Sequence, residues 1–270
     1  MSFKTRLPMF PDPTKIERQL LTAAASRHGR RKHGVSTCEG LRCARELITR
    51  RPTWVRCVAV TDTFLNGPET DTFFNQARAN HMRVVQLSDN DFKKIAQTAT
   101  PQGVSVLFQP GEPSPAAPPP PFALVLDRVT EPGNMGTILR TAWAAGLNRI
   151  WLTDGCVDPF APKTIRAGMG AQFAVTLSIG GDLPALKKDL RDIGFTTMWL
   201  SKPSGGISSR SPDFDLSGNA LVIGNEANGV TDIPGAPVVT IPMPGEAESL
   251  NASQAAAMLL YEAVRRGILA

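Results

Sequence analysis

Three short stretches in the second half of this 270-residue chain set polar side chains beside turn-forming glycine and proline. In "DRVTEPGNMGTILRTAWAAGL" (127–147), Pro132, Gly133 and Gly136 shape a turn, and Asn134 stands just before a helix. With that helix starting near Met135, Asn134, Thr137 and Arg140 recur every three residues and share one face. Ile138, Leu139, Ala142 and Trp143 cover the other face. In "LVIGNEANGV" (221–230), an apolar run ends at Gly224 and delivers Glu226 into a turn. In "IPMPGEAESLNASQAAAMLLYEAVRRG" (241–267), Ser249 and Asn251 fall where a helix begins, and Arg265 and Arg266 suit its negative end. A carboxylate, two amides, a hydroxyl and a guanidinium do hydrogen-bond and charge chemistry. Taken singly, each stretch also has a plainer account: an N-cap with an exposed arginine, a turn with one solvated charge, a loop before a packing helix.

Other chemistries find no support. No G-x-x-x-x-G-K-[ST] and no G-x-S-x-G occurs, and "GMGAQF" (168–173) ends on Phe173 where a dinucleotide fingerprint needs glycine. The four cysteines lack C-x-x-C or metal-ligand spacing and the three histidines form no set with them, so no metal is expected. Reduced thiols, no export signal and no run of about 18 apolar residues predict a cytoplasmic protein with no membrane segment.

These residues need elements to carry them. After residue 121, strands are expected at 122–127, 149–152, 196–201, 220–224 and 238–243, with helices near 135–145, 182–193 and 251–266. That alternation predicts an α/β fold with a parallel sheet covered on both faces and a ligand crevice at the strand carboxyl ends. The Pro-rich stretch 109–121 reads as a spacer. Before it, residues 1–18 read as a tail, and 19–108 as a small α/β domain. Its helices are expected at 16–25, 38–50, 71–80 and 89–98, the last capped by Ser88 or Asp89, and its strands at 54–60, 83–87 and 103–109. Residues 1–121 carry 17 Lys and Arg against 10 Asp and Glu, a net of +7. Residues 122–270 carry 12 against 14, a net of −2. A basic front half points to a polyanion, with "SRHGRRKHG" (Arg27, Arg30, Arg31, Lys32) as its densest contact; the competing account is a solvated tail.

Taken in order, "EPGNMGTILRTAWAAGL", "LVIGNEANGV" and "IPMPGEAESLNASQAAAMLLYEA" resemble the SpoU/TrmH family of RNA ribose 2′-O-methyltransferases, a resemblance that covers residues 122–270. The first domain, with "GVSTCEGLRCARELI" and "TATPQGVSVLF", looks like the family's small RNA-binding domain, of ribosomal-protein type. The resemblance implies a C-terminal SPOUT trefoil-knot domain, S-adenosylmethionine as cofactor, RNA (ribosomal RNA above all) as partner, and a homodimer through the C-terminal domain. It places Asn134, Arg140, Glu226, Ser249 and Asn251 in catalysis and RNA positioning. It places Gly224, Ile241 and Leu250 at the cofactor, with Leu200 and Met243 as further lining. A guanidinium stays protonated, so Arg140 is read as a phosphate clamp, with Glu226 holding Arg140 or Asn134. Transfer RNA as substrate, and a non-catalytic RNA-binding or assembly factor of the same fold, are the alternative readings.

Overall fold

The computed structural model describes residues 10–68, 70–111 and 119–269. The chain forms two compact units, one of Met1–Glu112 with Phe160–Arg166 and one of Pro113–Pro159 with Ala167–Ala270. Most of the expected tail (residues 1–9) and the middle of the expected spacer (112–118) lie outside the described residues.

In the first unit the elements run α1 (Lys15–Ala24), α2 (Arg27–His33), β1 (Ser36–Glu39), α3 (Leu41–Arg50), β2 (Val55–Thr61), α4 (Asp62–Leu65), α5 (Thr70–Ala79), β3 (Val84–Leu87), α6 (Asp89–Ile95) and β4 (Val104–Phe108). The sheet order is β1-β4-β2-β3, antiparallel except for β2 beside β3. Thr14 and Glu17 close a capping box on α1, and the Ser88 hydroxyl caps α6. The basic cluster is a short helix, α2, capped by Ser26 and stopped by left-handed Gly34. Two boundaries differ from the sequence reading. Residues 36–39, half assigned to a helix, pair antiparallel with β4, and the helix starts only after Gly40. The helix expected through residue 98 ends at Ile95, because Glu39 draws off Gln97 N–H and the Thr98 hydroxyl.

In the second unit the order is β5 (Ala123–Leu126), α7 (Pro132–Ala144), β6 (Arg149–Leu152), α8 (Pro162–Gly168, which begins among residues grouped with the first unit), α9 (Ala171–Ala174), β7 (Thr176–Ile179), α10 (Leu183–Asp192), β8 (Met198–Ser201), β9 (Ile207–Ser208), β10 (Ala220–Ile223), β11 (Val238–Thr240) and α11 (Ala252–Arg265). Seven parallel strands lie in the order β7-β6-β5-β10-β8-β11-β9. The central strands β5 and β10 are buried at every residue, as a sheet covered on both faces requires. On one face Leu183, Leu186 and Leu190 of α10 pack with Val125, Met198, Leu200 and Val222, each buried leucine contributing about 1.5–3 kcal/mol. The helices α7 and α11 contact each other, and α11 also meets β10. α8, α9, β7 and β9 carry no strong sequence pattern and were not expected. β7 and β9 sit at the two sheet edges, where a strand is defined by pairing with one neighbour rather than by its own apolar run.

Among the described residues no helix is long and apolar enough to cross a membrane, and no group of three or more His, Cys, Asp or Glu is placed to hold a metal ion.

Candidate active site

The parallel sheet brings the three polar stretches to the carboxyl ends of its strands. The first starts at Asp127, directly after β5. Pro132 occupies the first helical position of α7, where its missing N–H costs nothing, and Glu131 is the N-cap. α7 therefore begins three residues before the expected start, and Asn134 lies inside the first turn rather than ahead of it. Asn134 is buried, 7% exposed.

The second stretch follows β10. Asn225 and Gly229 exchange backbone hydrogen bonds of 3.0 Å each way, closing a five-residue loop. Inside it, Asn225 Oδ1 accepts from the N–H groups of Ala227 and Asn228, both at 2.9 Å, an Asx turn. Gly224 is needed at the neck: a Cβ there would sit 2.3 Å from Val230 N and 2.4 Å from Gly229 C. The third stretch starts α11, whose N-cap is Asn251, accepting from Ser253 N–H at 2.9 Å.

Hydrogen bonds join the three. Glu226 Oε1 accepts from Asn134 Nδ2 at 2.8 Å and Glu131 N–H at 3.3 Å; Oε2 accepts from Thr130 N–H at 3.3 Å and the Thr130 hydroxyl at 3.2 Å. Asn134 Oδ1 in turn accepts from Asn251 Nδ2 at 2.9 Å. Partial burial on its own raises the Glu226 carboxyl, but the bonds from Asn134, Thr130 and Glu131 outweigh it and hold the carboxyl below its ordinary value. Glu226 is thus an ionised hub that orients Asn134, and Asn134 orients the start of α11.

Arg140 lies six residues further along α7, exposed, with no hydrogen bond or ion pair among the described residues. The partner of Glu226 is therefore Asn134 and not Arg140. Ser249 lines a cleft of about 340 Å³ beside Glu226. Gly224, Ile241, Met243 and Leu250 line the same cleft. Leu200 does not: it is 1% exposed, packed into the sheet's core, and the cleft wall begins one residue later, at Ser201. Of the basic cluster, Arg27, Arg31 and Lys32 are exposed on α2, while Arg30 Nη1 donates to the Ala24 carbonyl at the end of α1. Thr130, Glu131 and Asn225 were not singled out in the sequence. Their position at the end of a buried strand was the available signal.

The SpoU rRNA Methylase family model matches residues 121–261, and the MRM3-like substrate binding domain model matches residues 19–105. The chain belongs to the SpoU rRNA methylase family. It is 34% identical to the 23S rRNA (guanosine(2553)-2′-O)-methyltransferase RlmP of Bacillus subtilis, over 65% of this chain and 70% of that protein. It is 27% identical to the mouse mitochondrial rRNA methyltransferase 3, over 95% of this chain and 73% of that one. Among solved structures, an AdoMet-bound rRNA methyltransferase from Sinorhizobium meliloti superposes with a TM-score of 0.77 at 26% identity, covering 95% of this chain and 97% of that one.

Proposed function

We propose that this chain transfers a methyl group from S-adenosylmethionine to a ribose 2′-hydroxyl of ribosomal RNA. The carrying observation is the hydrogen-bonded series Glu226–Asn134–Asn251 set beside a cleft at the strand ends of a SpoU-family sheet. The cleft suits the cofactor: about 340 Å³ is within the range of small-molecule sites. Ile241, Met243 and Leu250 offer apolar walls, and the carboxylates of Glu226 and Glu248 complement a cation. When bound, the cofactor supplies a methyl group already activated by its sulfonium.

The chain's own residues then have to align a hydroxyl and stabilise charge. Glu226, held ionised by four donors, fixes Asn134 and is no proton acceptor. Arg140 has its guanidinium unspent among the described residues, so its planar fork clamps a phosphate and stabilises the developing alkoxide. Ser249, exposed at the cleft, hydrogen-bonds substrate. Arg27, Arg31 and Lys32 supply salt-dependent grip on the RNA backbone. The apolar side chains of Met258, Tyr261 and Val264 are exposed along α11, and we assign that face to a second copy of the chain. Four unpaired cysteines fit a reducing compartment such as the cytoplasm.

The test is methyl transfer into protein-free ribosomal RNA. Arg140→Ala should lower turnover on the order of 10²–10³-fold and leave cofactor affinity within about twofold. Arg140→Lys should also be poor, since a point charge does not replace a planar fork. A Lys variant with wild-type turnover would overturn the clamp, and wild-type protein that methylates no ribosomal RNA would overturn the function.

A further inference from the structure

We propose that Asp127 is a positioning residue that holds the Glu226 loop in register with Asn134, a role that rests on the methyl-transfer reading above. Asp127 follows β5, is 1% exposed, and is not among the residues lining the cleft. Burying a carboxylate is costly unless its lone pairs are filled, and here they are filled by Thr153, just after β6, and by Thr231, at the far end of the loop that follows β10. Oδ2 accepts from Thr231 N–H at 2.7 Å and from the Thr231 hydroxyl at 2.8 Å; Oδ1 accepts from the Thr153 hydroxyl at 3.1 Å. The Arg128 guanidinium stands 3.4 Å from Oδ2. One buried carboxylate thus ties the exits of β5 and β6 to the far end of the loop that follows β10.

The next residue completes the device. Arg128 has φ +53°, in the left-handed region that a non-glycine residue seldom adopts. Its carbonyl accepts from Asn225 Nδ2 at 2.7 Å, and Asn225 Nδ2 also reaches the Thr130 hydroxyl at 3.3 Å. Segment 225–231 is therefore held at its start by Arg128 and Thr130 and at its end by Asp127. Glu226 lies between those two fastenings, and its own donors come from the same stretch, residues 130–134. A loop fastened at both ends cannot slide along its partner. Releasing the Asp127 end frees Thr231 and lets Glu226 shift against Asn134, and a displacement of about 1 Å in a reacting geometry costs on the order of 100-fold in rate.

A double-mutant cycle separates this role from general support of the fold. Transfer of labelled methyl from S-adenosylmethionine to protein-free ribosomal RNA is measured for wild type, Asp127→Ala, Glu226→Ala and the pair. Asp127→Ala should lower turnover about 10–100-fold in the wild-type background. With Glu226 already removed it should lower turnover by less than about twofold, because its route of action is gone. Asp127→Asn, whose amide oxygen still accepts from Thr231 N–H, should recover most of the rate. Equal losses in both backgrounds would overturn the proposal, as would no loss at all. An arm free of activity follows the side-chain amide resonances of Asn134. Asp127→Ala should move them, and so should the milder Thr231→Val, which removes only the hydroxyl bond and serves if Asp127→Ala does not fold. Unmoved resonances overturn the positioning role. Wild-type protein that transfers no methyl sinks the functional reading, while the Asn134 resonances still decide the role of Asp127.

Discussion

Residues 224–231 and residues 241–250 line the same cleft, yet the first segment is bonded at nearly every step and the second makes no hydrogen bond among the described residues. In the first, the Asn225–Gly229 exchange, the Asx turn, the Glu226 hub and the Thr231–Asp127 tie fix the backbone before any ligand arrives. The second follows β11, is exposed from Pro244 to Ser249, and regains structure only at the Asn251 cap. The contrast teaches a division of work. One wall is preorganised and sets the geometry of Asn134, where, on the proposed function, precision determines rate. The other has little to lose on rearrangement and has backbone groups to spare for a ligand.

The neck of the 224–231 loop is the tightest point of the built wall. Gly224→Ala places a Cβ 2.3 Å from Val230 N, against backbone that cannot swing aside. The built wall should deform, and cofactor affinity measured by calorimetry should fall about 10–100-fold, the equivalent of about 1–3 kcal/mol of overpacking. An affinity within twofold of wild type would mean that the 224–231 loop does not shape the cleft.

Hydrogen exchange sharpens the contrast between the walls. The Asn225 and Gly229 amides, paired at 3.0 Å, should be protected with and without cofactor. Amides of 243–250 should exchange near unprotected rates in the free protein and slow about tenfold or more when cofactor saturates the cleft. Equal protection of both segments in the free protein would erase the distinction.

The smallest effect is electrostatic. Glu226 sits below the ordinary carboxylate value of 4.5, so the folded state binds its proton less readily than the unfolded state. The stabilisation is complete above the unfolded value and is lost as pH falls through the lower folded one. Wild type should exceed Glu226→Gln in melting temperature at neutral pH, and the gap should close as pH drops below about 4.5. Glu17, held by Arg83, and Glu262, held by Arg265 and Arg266, lie lower still, at about 2. Further acid loss common to both proteins should therefore continue from about 4.5 down to about 2. A gap that persists unchanged at pH 3 would show that the Glu226 bonds contribute shape and not charge.

The strands at the heart of the second unit are legible in the chain alone, because β5 and β10 are short apolar runs with no polar face. Three helix starts are legible as well, since capping by Ser88, Asp182 and Asn251 is a local bond between residues two or three apart. The sequence also exposed the chemical types gathered at the strand ends. It could not say which of them touch. Asn134 and Glu226 are 92 residues apart in the chain, Asn134 and Asn251 are 117 apart, and only the parallel sheet with β10 beside β5 puts them within 3 Å. The same limit applies to charge. Arg265 and Arg266 read alike as helix-end cations, but Arg265 pairs with Glu262 at the surface. Arg266 bonds Glu262 too and also donates to the carbonyls of Ser209, Ser211 and Phe214 in the loop after β9. Leu200, which the family resemblance set at the cofactor, is likewise packed into the core under the sheet. Local patterns encode what a residue's neighbours in sequence can satisfy; a buried carboxylate such as Asp127 gains its meaning from donors on other strands, which exist only once the sheet is assembled.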